Sequence, residues 1–119
     1  MLKSRINSFK YALSGLQTAL KDQPNFIIHC FIGSVALAAG AYFDITTTEW
    51  LFLFLIIGIV LTVELTNTAI EEIVNSFTDQ VHPAAKKAKD VAAAAVLVSS
   101  ISAVVVGFII FLPYLYQNI

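Results

Sequence analysis

Glu64, Asn67 and Glu71 lie in the stretch VELTNTAIEE, at the end of an oily run that begins at Trp50. At about 100° per helical residue, Asn67 falls within about 60° of Glu64 and Glu71 within about 20°, so two acids and an amide share one helix face. Asn75 joins them, while Glu72 points about 80° away. A carboxylate near the edge of a bilayer costs on the order of a few kcal/mol unless it meets water, a cation or a donor. The stripe therefore points to function before packing; hydrogen bonding between helices is the alternative. A second group, HPAAKKAKD, runs from His82 to Asp90 and opens another helix, with Pro83 suited to its first turn. Lysines at such a place commonly only anchor a helix. Beside the acids, though, they complete a set: carboxylates for a divalent cation and ammonium groups for phosphate. That is the equipment of phosphoryl transfer. Magnesium prefers oxygen ligands and keeps several waters, so one or two carboxylates with nucleotide phosphates suffice. Glu64, almost two turns deeper than Glu71, is placed to accept a proton from a hydroxyl carried by a lipid. His82 is a candidate hydrogen-bonding group near the nucleotide. No GxxxxGK[ST] or GxGxxG motif is present, so any nucleotide site is unconventional.

The elements that must carry these groups follow from composition. Of 119 residues, 58% are hydrophobic and 13% charged, against roughly 25% charged in soluble domains. A soluble domain of this size would leave much of that apolar surface in water. The membrane class is therefore expected. A net charge of −1 gives no footprint for nucleic acid. The single Cys30 excludes an intrachain disulfide framework, and the first residues lack the form of a signal peptide.

Three apolar runs, at 26–43, 50–74 and 91–116, are expected to cross the bilayer as helices, because backbone in lipid must satisfy its own hydrogen bonds. Before them, Leu2, Ile6, Phe9, Leu13, Leu16 and Leu20 recur at three- and four-residue steps, which predicts an amphipathic surface helix over 1–23 that ends at Pro24. It would lie in the membrane interface or against its own protein. The chain thus reads as an all-α membrane protein, a single domain over 1–119. All seven basic residues precede the first or the third run, none lying between the first and second. The positive-inside rule then sets the N-terminus in the cytoplasm. In the third run Ala95, Ser99, Ala103 and Gly107 repeat every four residues, a stripe that permits close helix approach within a subunit or between subunits.

The stretch VELTNTAIEE…HPAAKKAKDVAAAAVL, with FKYALSGLQTAL and NFIIH before it, closely resembles the prokaryotic diacylglycerol kinase family, whose pattern is E-x-x-N-[ST]-A-I-E followed by a loop and A-K-D. In its details it is similar to the undecaprenol kinase branch. The resemblance implies a homotrimeric bundle in the bacterial inner membrane, each subunit an N-terminal surface helix and three transmembrane helices. It implies that Mg²⁺ and ATP serve to phosphorylate a lipid alcohol, diacylglycerol or undecaprenol, at composite sites between subunits. Carried onto this chain, Glu64 matches the general base and Glu71 a metal-binding glutamate. Asn67 matches its polar neighbour, Lys89 and Asp90 the nucleotide-binding pair, and His82 the loop histidine near the nucleotide.

Two positions depart from the family pattern. Gln23 stands where a second metal-binding glutamate is usual, and Asn75 where an aspartate is usual. Each removes a negative charge, so weaker cation binding is expected unless Asp22 or Glu72 substitutes. The same two changes motivate a rival reading, a non-catalytic trimeric scaffold or lipid-binding protein. A small cation or proton conductor using Glu64 and Glu71 is a third, but the runs supply no continuous polar lining for a conducting path.

Overall fold

A computed structural model describes residues 1–77 and 82–118. Within them are four α-helices, α1 (Leu2–Asp22), α2 (Pro24–Phe43), α3 (Thr47–Phe77) and α4 (Pro83–Gln117). The last three are long and apolar enough to cross a membrane. They overrun the expected apolar runs at most of their ends. Hydrocarbon thickness limits the apolar stretch, whereas the hydrogen-bonded helix continues into the polar interface. With 31 residues, α3 is about 46 Å long against about 30 Å of hydrocarbon.

Two kinds of junction set the topology. Between α1 and α2 the break is local: Gln23 is extended (φ −116, ψ 97) and Pro24 takes the first helical turn. The residue before a proline is pushed away from helical geometry, while proline itself is preset for a helix start. Between α2 and α3 the chain reverses. Asp44 adopts the left-handed conformation (φ 52, ψ 56), and the N–H groups of Asp44 and Ile45 close back on the carbonyls of Ala41 and Gly40. This is the Schellman arrangement for ending a helix. Thr46 then starts α3: the Glu49 N–H donates to Thr46 Oγ1 at 3.2 Å and the Thr46 N–H to Glu49 Oε1 at 2.9 Å, a reciprocal capping box.

Helices α2, α3 and α4 run antiparallel in turn, with α3 between the other two and packed most extensively against α4. The buried core is concentrated at the turn end, where Ile45, Leu53 and Ile110 pack with Phe43, Trp50 and Tyr114. Gly40 is needed there: a Cβ would lie 2.8 Å from Cη2 of the Trp50 indole. The every-four stripe on α4 is only partly the packed face. Ser99 is buried and Ala103 and Gly107 are half-buried, but Ala95 is exposed. The packed positions instead follow Ala92, Val96, Ser99, Ala103, Val106 and Ile110, in alternating steps of four and three. That is the period of helices crossing at a shallow left-handed angle, and a strict four-residue step drifts off it. On α1 the six stripe residues from Leu2 to Leu20 are all exposed in the single chain, and only Ala19 is buried.

Candidate active site

The face of α3 that packs in the bundle carries Leu53, Ile57 and Val60, and the same three-four steps lead on to Glu64, Asn67, Glu71 and Val74. The apolar seam therefore becomes polar without changing face. Glu64 is 2% exposed, Asn67 is buried and Glu71 is half-buried. Counted from Trp50 across about 30 Å of hydrocarbon, Glu71 falls at the far edge and Glu64 inside it. Burying a carboxylate there is costly unless it is paired or used.

Pairing is incomplete. Asn67 Nδ2 donates to Glu71 Oε1 at 3.3 Å, one turn along the helix. Glu64 Oε2 and Asn67 Oδ1 are buried with no hydrogen-bond partner among the described residues. The nearest cationic candidate to Glu64 is on α2, where His29 Nε2 stands 3.8 Å from Glu64 Oε2. That is beyond hydrogen-bonding range. On α4 the helix register set by Glu49 with Tyr114, and by Leu53 with Ile110, runs Glu64 to the level of Ser99 and Glu71 to the level of Ala92. Both α4 residues are small, which leaves room beside the acids. The Ser99 hydroxyl is turned to the Val96 carbonyl at 2.9 Å, so it does not serve Glu64.

The remaining expected residues divide between this seam and its surroundings. Lys89 is half-buried on the packed side of α4, about one turn beyond the level of Glu71. Asp90, its neighbour, is exposed and salt-bridged to Lys86 at 2.5 Å. The two therefore lie on different faces and form no ion pair with each other. His82 caps α4, its Nδ1 accepting from the Ala84 N–H at 3.2 Å. Gln23 is half-buried at the α1–α2 joint, at the same end of the bundle as Glu71. Asn75 is exposed, off the seam, because 75 is one position past the three-four step that Val74 occupies. Among the described residues, no group of three or more His, Cys, Asp and Glu is placed to hold a metal ion.

His29 is the site residue that sequence reasoning passed over. A signal was present, since it is an ionisable side chain inside the first apolar run. Its partner on another helix could not be read from the chain. His29 also lines an apolar cavity of about 510 Å³ between α2, α3 and α4, bounded by residues such as Ala36, Ile57, Val60, Val104 and Phe108.

Four helices, three of membrane-spanning character, and a carboxylate held unsatisfied within the packed seam define a small integral-membrane protein with a buried polar centre. The match to known proteins is more specific. The family model for prokaryotic diacylglycerol kinase covers residues 10–111. The undecaprenol kinase of Bacillus subtilis is 40% identical over 108 residues, spanning 91% of this chain and 88% of that protein. The diacylglycerol kinase of Haemophilus influenzae is 31% identical over 107 residues, spanning 89% of this chain and 91% of that one. A diacylglycerol kinase from Synechocystis is 40% identical over 107 residues but only 61% of its length is spanned. The chain belongs to the prokaryotic diacylglycerol kinase family, and is thereby an enzyme of the lipid-kinase class.

Proposed function

We propose that this protein transfers the terminal phosphoryl group of ATP, with Mg²⁺, to the hydroxyl of a membrane lipid alcohol, diacylglycerol or undecaprenol. The observation that carries the reading is Glu64, buried in an apolar seam with one oxygen unpartnered, in a chain of this family. A carboxylate so placed accepts a proton from an incoming hydroxyl. The donor set also suits magnesium: Asn67 Oδ1 has no partner, and Asn67 already touches the Glu71 carboxylate. Glu71 and Asn67 would hold the ion, with Gln23 as a neutral oxygen donor from the α1–α2 joint. When bound, the ion supplies charge neutralisation on the phosphates. Lys89, on the packed side of α4, is assigned to the same phosphates, and Asp90 and His82 to the nucleotide at the start of that helix. Asn75 stands off the seam, so its missing charge costs the site little.

The reading extends to assembly and place. The chain acts as a single domain over 1–119, a homotrimer in the bacterial inner membrane with its N-terminus cytoplasmic. The wide exposed apolar surface of α2 to α4 meets lipid and neighbouring subunits, and the apolar stripe of α1 lies in the cytoplasmic interface. The clustered lysines before α2 and at the start of α4 support that orientation. The test is direct. Purified protein in detergent micelles receives Mg–ATP and either lipid, and phosphorylated lipid is the expected product. Absence of product from both, under conditions in which a related enzyme turns over, overturns the kinase in favour of the scaffold.

A further inference from the structure

His29 has no assigned part in that chemistry, yet it faces a buried carboxylate oxygen that has no partner among the described residues. The Nε2 to Oε2 separation of 3.8 Å is too long for a direct hydrogen bond, and the His29 side chain is 20% exposed against 3% for Glu64. A hydroxyl oxygen can bridge the pair at about 2.8 Å from each atom only from beside the line that joins them. Because Oε2 is closed off in this fold, a small side-chain movement must admit it. Glu64 can only accept there when ionised, and an imidazole protonated on Nε2 can only donate from that atom. A hydroxyl, which is donor and acceptor at once, is the complementary group. The apolar cavity is lined by His29 and not by Glu64, so a lipid chain held there would bring its hydroxyl to the pair from the His29 side.

Resting on the kinase reading above, we propose that His29 is a substrate-positioning residue. It donates from Nε2 to the hydroxyl of the lipid alcohol while that hydroxyl donates to Glu64 Oε2. In the transfer step the hydroxyl oxygen bonds to the terminal phosphorus of the nucleoside triphosphate. The bond from that phosphorus to the bridging oxygen breaks, the nucleoside diphosphate leaves with the electron pair, and the hydroxyl proton passes to Glu64. The His29 proton does not move. Its task is to hold the oxygen with a lone pair free toward phosphorus.

The test compares the wild type with His29→Leu, which deletes the donor, and His29→Gln, whose amide N–H reaches near the position of Nε2. For the lipid alcohol, kcat/KM should fall about tenfold in His29→Leu, the usual effect of one lost hydrogen bond, and return to within about threefold of wild type in His29→Gln. The KM for ATP should stay put in both. Because the chain has only two histidines, ¹⁵N-histidine spectra of a His82→Asn background isolate His29. Its Nε2 resonance should shift when farnesol is added without nucleotide. Full activity in His29→Leu, or equal loss in both variants with a changed KM for ATP, overturns the proposal and leaves the kinase reading standing. If either variant fails to fold, an unmoved Nε2 resonance overturns it alone. A wild type inactive on both lipids overturns both readings together.

Discussion

Glu49, in the first turn of α3, accepts from the Thr46 backbone N–H at 2.9 Å and from the Tyr114 hydroxyl. Glu64, about four turns along the same helix, is more deeply buried and leaves Oε2 without any donor. At the turn end the surroundings complete the satisfaction: Phe43 packs on Tyr114 with ring centres 5.9 Å apart, Trp50 stacks on Phe54 at 5.6 Å, and Gly40 admits the indole. At the polar end the neighbours are small, and the nearest histidine stops short. A buried polar group that is fully bonded adds to stability; one left open at a cost is better explained by a ligand that completes it. One helix thus carries an acid satisfied within the fold and an acid left open, to which the function proposed above assigns the chemistry.

Substitutions at the two ends should therefore separate stability from turnover. The largest effect is expected of Glu64→Gln. Losing the base should lower kcat by about 10²- to 10⁴-fold, while the KM for ATP holds and the thermal midpoint stays the same or rises, since a buried charge is removed. If kcat survives, the division between the two glutamates fails. Next, Glu71→Gln should raise the Mg²⁺ concentration for half-maximal activity by on the order of tenfold, since a charge-assisted ligand becomes neutral. An unchanged magnesium requirement would move the cation elsewhere.

The turn end should respond in the opposite currency. Gly40→Ala drives a methyl into the Trp50 ring and should cost about 1–3 kcal/mol in unfolding measurements, with kcat per folded molecule unchanged. Tyr114→Phe removes one hydrogen bond to Glu49 and should lower the thermal midpoint by less than Gly40→Ala does, again without touching kcat. A loss of turnover in either variant at full folding would show that the two ends are coupled. The smallest change sharpens the polar end alone. Gln23→Glu should lower the Mg²⁺ requirement by about threefold, because it adds one charge at the α1–α2 joint, at the same end of the bundle as Glu71. No shift would place Gln23 outside the cation's reach.

Much of the framework was legible along the chain. Pro24 and Pro83 are helix-start signals that act within a few residues, and the structure uses both; the Thr46-x-x-Glu49 box is equally local but is recognised only from its hydrogen bonds. The common face of Glu64, Asn67 and Glu71 follows from helical period alone. Over longer spacings the same arithmetic failed in small ways. Asn75 and Ala95 were expected on their stripes and are exposed, because packed helices select a three-four alternation and not a fixed angle. His82 was read as a nucleotide contact, and the structure shows it in a local task, capping α4. Lys89 and Asp90 are adjacent in sequence, yet the helix turns one inward and lends the other to Lys86.

By itself, then, the order of residues determined that three helices are apolar enough to cross a membrane and that Glu64 and Glu71 share a side of one of them. Hydropathy and hydrogen bonding within a helix are local properties, and the bilayer leaves the backbone no other regular form but a closed barrel. Which glutamate is satisfied was decided only in the tertiary structure. The Glu49 hydroxyl donor comes from 65 residues away, and the imidazole facing Glu64 comes from another helix. Interactions across such separations depend on register and approach distance between helices, and no pattern along a single chain encodes those directly.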